Sequence, residues 1–164
     1  MRLLAEEKKN GTIELLLTYP IREPAVLLGK YLATLLVIVL LLAATAINIF
    51  LLSRFGTVEW GPVLSGYIGL LMVAGAFVSL GMFTSALTQN QIIAAVLGFG
   101  TLLMFWIIGW IGSVTGPGVG RVVNYLSLLE HQEPFSKGVF DSRDLMYFVN
   151  FSAFFIFLTL RYLD

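Results

Sequence analysis

The chain has no cysteine and only one histidine in 164 residues. Disulfides, thiolate metal sites and a cysteine nucleophile are therefore excluded. A zinc site needs roughly three or four converging ligands. His131, flanked by Glu130 and Glu133, is the only imidazole available, and a solvated loop is the reading its polar neighbours support. Charge is scarce as well. Asp, Glu, Lys and Arg make up 12 % of the chain, about half the share in ordinary globular domains. Ten basic and ten acidic residues cancel, so no basic face is expected to hold nucleic acid. No nucleophile stands beside an oriented base, and the hydrolytic constellations are missing. A signal peptide is missing too: Met1 to Ala5 breaks at once into Glu6-Glu7-Lys8-Lys9, far short of an apolar core of about 7–15 residues.

The most telling absence is longer. Between Glu59 and Arg121 lie 61 residues without an Asp, Glu, Lys or Arg. A soluble surface has to be solvated, whereas a bilayer core ~30 Å thick needs ~20 apolar residues of helix to cross it. Hydrophobic residues are 58 % of the chain and mean hydropathy is +0.89. The composition therefore predicts an all-α, polytopic membrane protein with four transmembrane helices. The first apolar run covers 31–53, between Lys30 and Arg54. The uncharged stretch divides at Thr88-Gln89-Asn90-Gln91, a natural aqueous turn, into crossings at about 64–87 and 92–112. The fourth crossing runs from Leu145 to Leu160 and on to about 162, with Tyr147 and Tyr162 near its ends, where interfacial aromatics belong. Arg161 can snorkel outward. Apart from Arg161 at the end of the fourth, no crossing contains an acid, a basic residue or a histidine, which argues against an intramembrane enzyme.

Orientation follows from the basic residues. The leader, residues 1–30, carries Arg2, Lys8, Lys9, Arg22 and Lys30; the 54–63 loop carries Arg54; the 88–91 joint carries none; and 113–143 carries Arg121, Lys137 and Arg143. The leader is placed in the cytoplasm with the 88–91 joint and the C-terminus, and 31–164 forms the membrane domain.

Within the leader, Asn10-Gly11 is a break and Thr12 a good helix cap. Ile13 to Thr18 makes about a turn and a half of helix before Pro20 ends it. Pro24 suits a first helical position, and Ala25 to Lys30 runs on into the first crossing. Leu15, Leu16 and Leu17 either lie in the lipid interface or form a docking knob for a soluble partner. Gly29-Lys30 is not a phosphate loop, because Pro24 and Tyr31 stand where Gly and Ser or Thr are required.

Beyond the third crossing, Gly116, Pro117, Gly118 and Gly120 break the chain. Val119, Val122, Val123, Leu126 and Leu129 then recur at helical spacing with Arg121 and Asn124 opposite, as in an amphipathic helix lying in the outer interface; a surface loop is the alternative. Asp141 or Ser142 is positioned to cap the last helix, with Asp144 in its first turn. Asn48 and Asn150 fall within crossings and are expected to bond between helices, or else to line a substrate path. Gly75/Ser79 and Gly81/Ser85 are small pairs four apart that permit close helix approach, within the chain or across a dimer seam.

The run Ala5 to Pro20, AEEKKNGTIELLLTYP, followed by Leu28-Gly29-Lys30-Tyr31-Leu32-Ala33, resembles the ABC-2 class of ATP-binding-cassette transporter permeases. Leu126 to His131, Phe135, Lys137-Gly138-Val139 and Asp144 to Phe148 resemble the tail of that class's gliding-motility-associated branch. The resemblance implies a cell (inner) membrane permease subunit that contributes no chemistry of its own and binds no cofactor. ATP would be bound and hydrolysed on a separate ABC ATPase subunit. A second permease subunit and the lipid bilayer would be the other partners. It also implies a cytoplasmic coupling helix over about residues 11–20. Glu6, Glu7, Lys8, Lys9 and Glu14 would frame the ATPase contact, Gly11, Thr12 and Pro20 would bound the helix, and Leu15, Leu16 and Leu17 would fill the groove. An external hairpin, about 113–143, would precede the last crossing. Family permeases have six membrane helices with this leader between the second and third, so the chain is expected to lack the first two. The rival reading is a non-transporting four-helix scaffold that anchors a motility or secretion complex.

Overall fold

The structure is a computed structural model that describes residues 23–114 and 118–163. Among these, six helices and no strand occur: α1 (Glu23–Leu52), α2 (Trp60–Ala86), α3 (Gln91–Val114), α4 (Val119–Tyr125), α5 (Leu128–Ser136) and α6 (Ser142–Leu163). Four of them are long and apolar enough to cross a membrane: α1 from Pro24, α2, α3 as far as Gly112, and α6. These are the four expected crossings, with longer ends. The first starts well before residue 31 because Pro24 occupies the opening turn and nothing interrupts the helix beyond it. The last gains a turn at its start, where the Asp141 carboxylate accepts the Arg143 amide at 2.9 Å. At the 88–91 joint, Thr88 Oγ1 accepts the Asn90 amide and Asn90 Oδ1 accepts the Ile92 amide. These two side chains close the turn and cap α3.

α2 is the hub. It packs on α1, α3, α5 and α6, and its contact with α6 is the most extensive. Its contact face carries small residues: Gly69, Gly75, Ala76, Ser79, Gly81 and Ser85 are all buried. A side chain added at Gly75 would stand 2.9 Å from the Tyr31 hydroxyl of α1 and 3.8 Å from Ser152 Oγ of α6. The Gly75/Ser79 pair therefore serves packing inside this chain. Association of membrane helices relies on such close van der Waals contact, because lipid tails are as apolar as the side chains. Ser79 and Thr84 return their hydroxyls to carbonyls of their own helix, so burial leaves neither unsatisfied.

Aromatic rings fill the wider space between α3 and α6. Phe105 meets Phe151 edge to face at 5.2 Å, and Phe155 lies between Phe105 and Phe83. At the end of the bundle where α1 begins and α6 stops, Leu27 is buried against Met82 and Ala86, with Leu160 and Leu163 alongside. At the other end residues 118–141 hold two short helices, so the amphipathic stretch expected over 119–129 is broken. The break falls at Leu126–Ser127, and Ser127 caps α5 by accepting the Glu130 amide. Val122 and Leu126 do face outward. Asn124, expected opposite them with Arg121, instead points into the bundle against Gly112.

Candidate functional site

Two regions hold the polar chemistry, one at each end. The residues that the resemblance assigns to ATPase coupling, Glu6, Glu7, Lys8, Lys9, Gly11, Thr12, Glu14, Leu15, Leu16, Leu17 and Pro20, all lie outside the described residues. Gly116 and Pro117 do as well. The described residues do show where this leader attaches. The chain joins α1 at the end that also holds the 88–91 turn and the last turn of α6, and its first buried side chain is Leu27, 2 % exposed.

The opposite end is closed by the α4–α5 hairpin, wedged between α2 and α3. Three glycines make the notches. A Cβ at Gly69 of α2 would lie 2.6 Å from Phe135 Cβ. One at Gly109 of α3 would lie 2.6 Å from Ser127 Oγ, and one at Gly112 would overlap Asn124 Oδ1. With the notches empty, Phe135 sinks fully out of contact with solvent or lipid. Ser65 Oγ of α2 then donates to the Phe135 carbonyl at 2.7 Å. Asn124 Oδ1 and Gln132 Oε1 are buried without a hydrogen-bond partner. Both rest against glycine positions, Gly112 and Gly69 respectively. The hairpin leaves through Gly138, whose φ of +83° suits a residue without a side chain.

His131 pins the hairpin to α6. Its Nδ1 meets Asp144 Oδ1 at 2.6 Å and its Nε2 meets the Tyr125 carbonyl at 3.0 Å. A carbonyl only accepts, so the hydrogen on that side belongs to Nε2. The bond on the other side holds with a single proton between Nδ1 and the carboxyl group. The imidazole stacks on Tyr147 at 3.9 Å and 24°, and the Tyr125 ring stands edge-on to it at 5.4 Å. The Tyr147 hydroxyl donates to the Leu126 carbonyl at 2.8 Å. One imidazole thus ties the end of α4, the middle of α5 and the first turn of α6 together. This corrects the solvated-loop reading of His131, which is 9 % exposed while Asp144 is 8 %. It also corrects the interfacial reading of Tyr147, which is buried. Among the described residues no group of three or more His, Cys, Asp or Glu could hold a metal ion.

Asn48 and Asn150 both sit on outward-facing positions, and neither makes a side-chain hydrogen bond to any described residue. Apolar hollows open between helices. One of about 320 Å³ lies among Tyr31, Leu35, Gly75, Phe148 and Ser152, and one of about 430 Å³ lies between α3 and α4 beside Gly100 and Val123. Such walls are suited to hydrocarbon.

Four membrane-length helices around a small-residue hub, with a wedged hairpin closing one end, define a polytopic α-helical membrane protein. The profile of one family, described as ABC-2 family transporter protein, matches residues 1–162. The chain belongs to the ABC-2 transporter family, whose membrane components typically work with ATPase subunits. No curated protein and no solved structure matches it.

Proposed function

We propose that this chain is the permease subunit of an ATP-driven exporter. It lies in the cell (inner) membrane with its leader and C-terminus cytoplasmic and hydrolyses nothing itself. ATP is bound and split on a separate ABC ATPase, and the stroke is received by the leader helix at about residues 11–20. A second permease subunit completes the pathway.

The observation that carries this reading is one of position. The leader motif enters α1 four residues ahead of Leu27, whose burial against Met82, Ala86, Leu160 and Leu163 binds α1 to the hub and to the last helix. A push on the leader therefore reaches three helices through one packed cluster, because close-packed interiors transmit displacement. The hairpin lies at the far end, where an exit would be closed. The His131 pin makes it move with α6, the helix that also ends in the Leu27 cluster.

Co-expression of the full chain with its ATPase, followed by co-purification from detergent, tests the reading. Leu16→Asp is expected to abolish association, while Leu32→Asn, on an outward face of α1, leaves it intact. Undiminished association of the Leu16→Asp chain would overturn the coupling role. Association without any nucleotide-dependent transport would favour the scaffold reading.

A further inference from the structure

We propose that the hollow between α1, α2 and α6 is a binding site for an uncharged, carbonyl-bearing lipid without a polar headgroup, whose carbonyl oxygen is held by the Tyr31 and Ser152 hydroxyls. The proposal goes beyond the permease reading and does not depend on it.

A hydroxyl on a membrane helix commonly returns to a carbonyl one turn back. Thr34, Thr101 and Thr159 do so at 2.7–2.8 Å, and Ser79 bonds the Ala76 carbonyl. Ser152 differs. It is only 9 % exposed, yet its hydroxyl makes no hydrogen bond to any described residue. The Tyr31 hydroxyl makes none either. Both side chains line the same hollow of about 320 Å³. They meet at Gly75, where an added Cβ would lie 2.9 Å from the Tyr31 hydroxyl and 3.8 Å from Ser152 Oγ. Two donors from two different helices thus stand close enough together for one acceptor to reach both.

Their depth makes the vacancy costly. Ser152 lies about 15 Å from the start of α6 and about 17 Å from its end, near the midplane of a core ~30 Å thick. Hydrocarbon offers an unpaired hydroxyl nothing to bond.

The wall defines the ligand. Leu35, Leu71, Phe148 and Ile156 supply apolar surface, and no lining side chain carries charge, so an ionised ligand would lose its solvation with nothing in return. A carbonyl oxygen has two lone pairs and no hydrogen. It accepts from both hydroxyls and leaves neither unpaired. Water or an alcohol brings further hydrogens, and the lining has no side-chain oxygen beyond the same two hydroxyls to receive them. A plain lipid tail satisfies neither donor. A phospholipid carries ester carbonyls, but its headgroup keeps them at the interface. The ligand is therefore a lipid-soluble ketone or quinone that moves freely through the core. At about 30 Å³ per water-sized group, the hollow takes roughly ten non-hydrogen atoms, one or two fused rings. A longer tail leaves past Val149 and Ala153, which are exposed at the rim.

Fluorenone and fluorene test this, because they share one shape and differ by a single carbonyl oxygen. The full chain is purified into phosphatidylcholine vesicles and photolabelled with benzophenone, and the labelled residues are mapped by mass spectrometry. Label is expected on the lining, at residues such as Leu71 and Val149. Fluorenone is expected to suppress it at roughly tenfold lower concentration than fluorene, the worth of a hydrogen-bonded carbonyl in an apolar site. Ser152→Ala and Tyr31→Phe, made separately, are each expected to narrow that gap to about threefold or less. Ser152→Thr, which keeps a hydroxyl, and Ser79→Ala, which removes one outside the hollow, are expected to preserve it. A gap that survives both Ser152→Ala and Tyr31→Phe, equal suppression by the two probes, or label confined to residues outside the hollow would each overturn the site. So would a Val149→Cys chain that links to a second copy on oxidation and thereby loses the label, since protein would then fill the hollow. None of these measurements involves the ATPase, so their failure leaves the permease reading standing.

Discussion

The hydroxyl of Ser65 donates to the backbone carbonyl of Phe135 at 2.7 Å across 70 residues of sequence. Its one hydrogen also has the Gly61 and Pro62 carbonyls within reach, at 3.0 and 3.2 Å, but the inter-element bond is the shortest. Ser65→Ala removes the one polar tie among the described residues between α2 and the C-terminal half of the hairpin. The Phe135 carbonyl keeps the Lys137 and Gly138 amides, so no buried acceptor is orphaned. The expected loss is about 1 kcal/mol, seen as a lower melting temperature of the detergent-purified chain.

The notches make a sharper prediction. Gly69→Ala places a methyl group 2.6 Å from Phe135 Cβ, and overpacking of this kind costs roughly 1–3 kcal/mol. Gly112→Ala drives into Asn124 and is expected to be at least as harmful. Gly100→Ala meets nothing within 4 Å and should be neutral or stabilising by up to about 1 kcal/mol, since alanine favours helix. Thermal melts of the three variants side by side decide this. A Gly69→Ala chain as stable as Gly100→Ala would show that the hairpin does not seat on α2.

Variants at the His131 pin should rank by what they leave behind. Asp144→Asn keeps a hydrogen-bonding group against Nδ1, since its amide nitrogen can donate to a bare ring nitrogen, and is expected to cost about 1 kcal/mol. His131→Leu strands a buried carboxyl group and is expected to cost roughly 3 kcal/mol or more. It should also free the hairpin from α6. Limited proteolysis near Lys137 should then cut His131→Leu faster than Asp144→Asn.

Gln89 and Lys137 lie at opposite ends of the bundle. In the cysteine-free chain, Lys137→Cys is expected to react with an impermeant maleimide on intact cells. Gln89→Cys is expected to react only after permeabilisation. The reverse pattern would invert the proposed orientation.

Most of the bundle was legible in the sequence because its cause is compositional. Sixty-one residues without charge can only be crossings and a joint, and Thr88 and Asn90 mark the joint by their hydrogen-bonding capacity. The hairpin was less legible. Spacing in 119–129 describes an amphipathic stripe but cannot show that Ser127 will cap a new helix, since that depends on Gly109 leaving room for it. His131 was misread for a related reason. Its partner Asp144 is 13 residues away on another helix, and nothing in the flanking Glu130 and Glu133 signals that contact. The usable clue was Asp144 and Tyr147 three apart at the start of α6, a carboxyl group and a ring on one face awaiting something planar and basic.

The central position of α2 has a consequence for how the chain is made. Its small-residue face is complete only when α6 arrives, and α6 leaves the ribosome after the other five described helices. Until then the part of that face which α6 covers stays open to the translocon or to lipid. Nascent chains that stall before residue 142 would present that open face to membrane chaperones and proteases, so quality control would meet any chain still without α6.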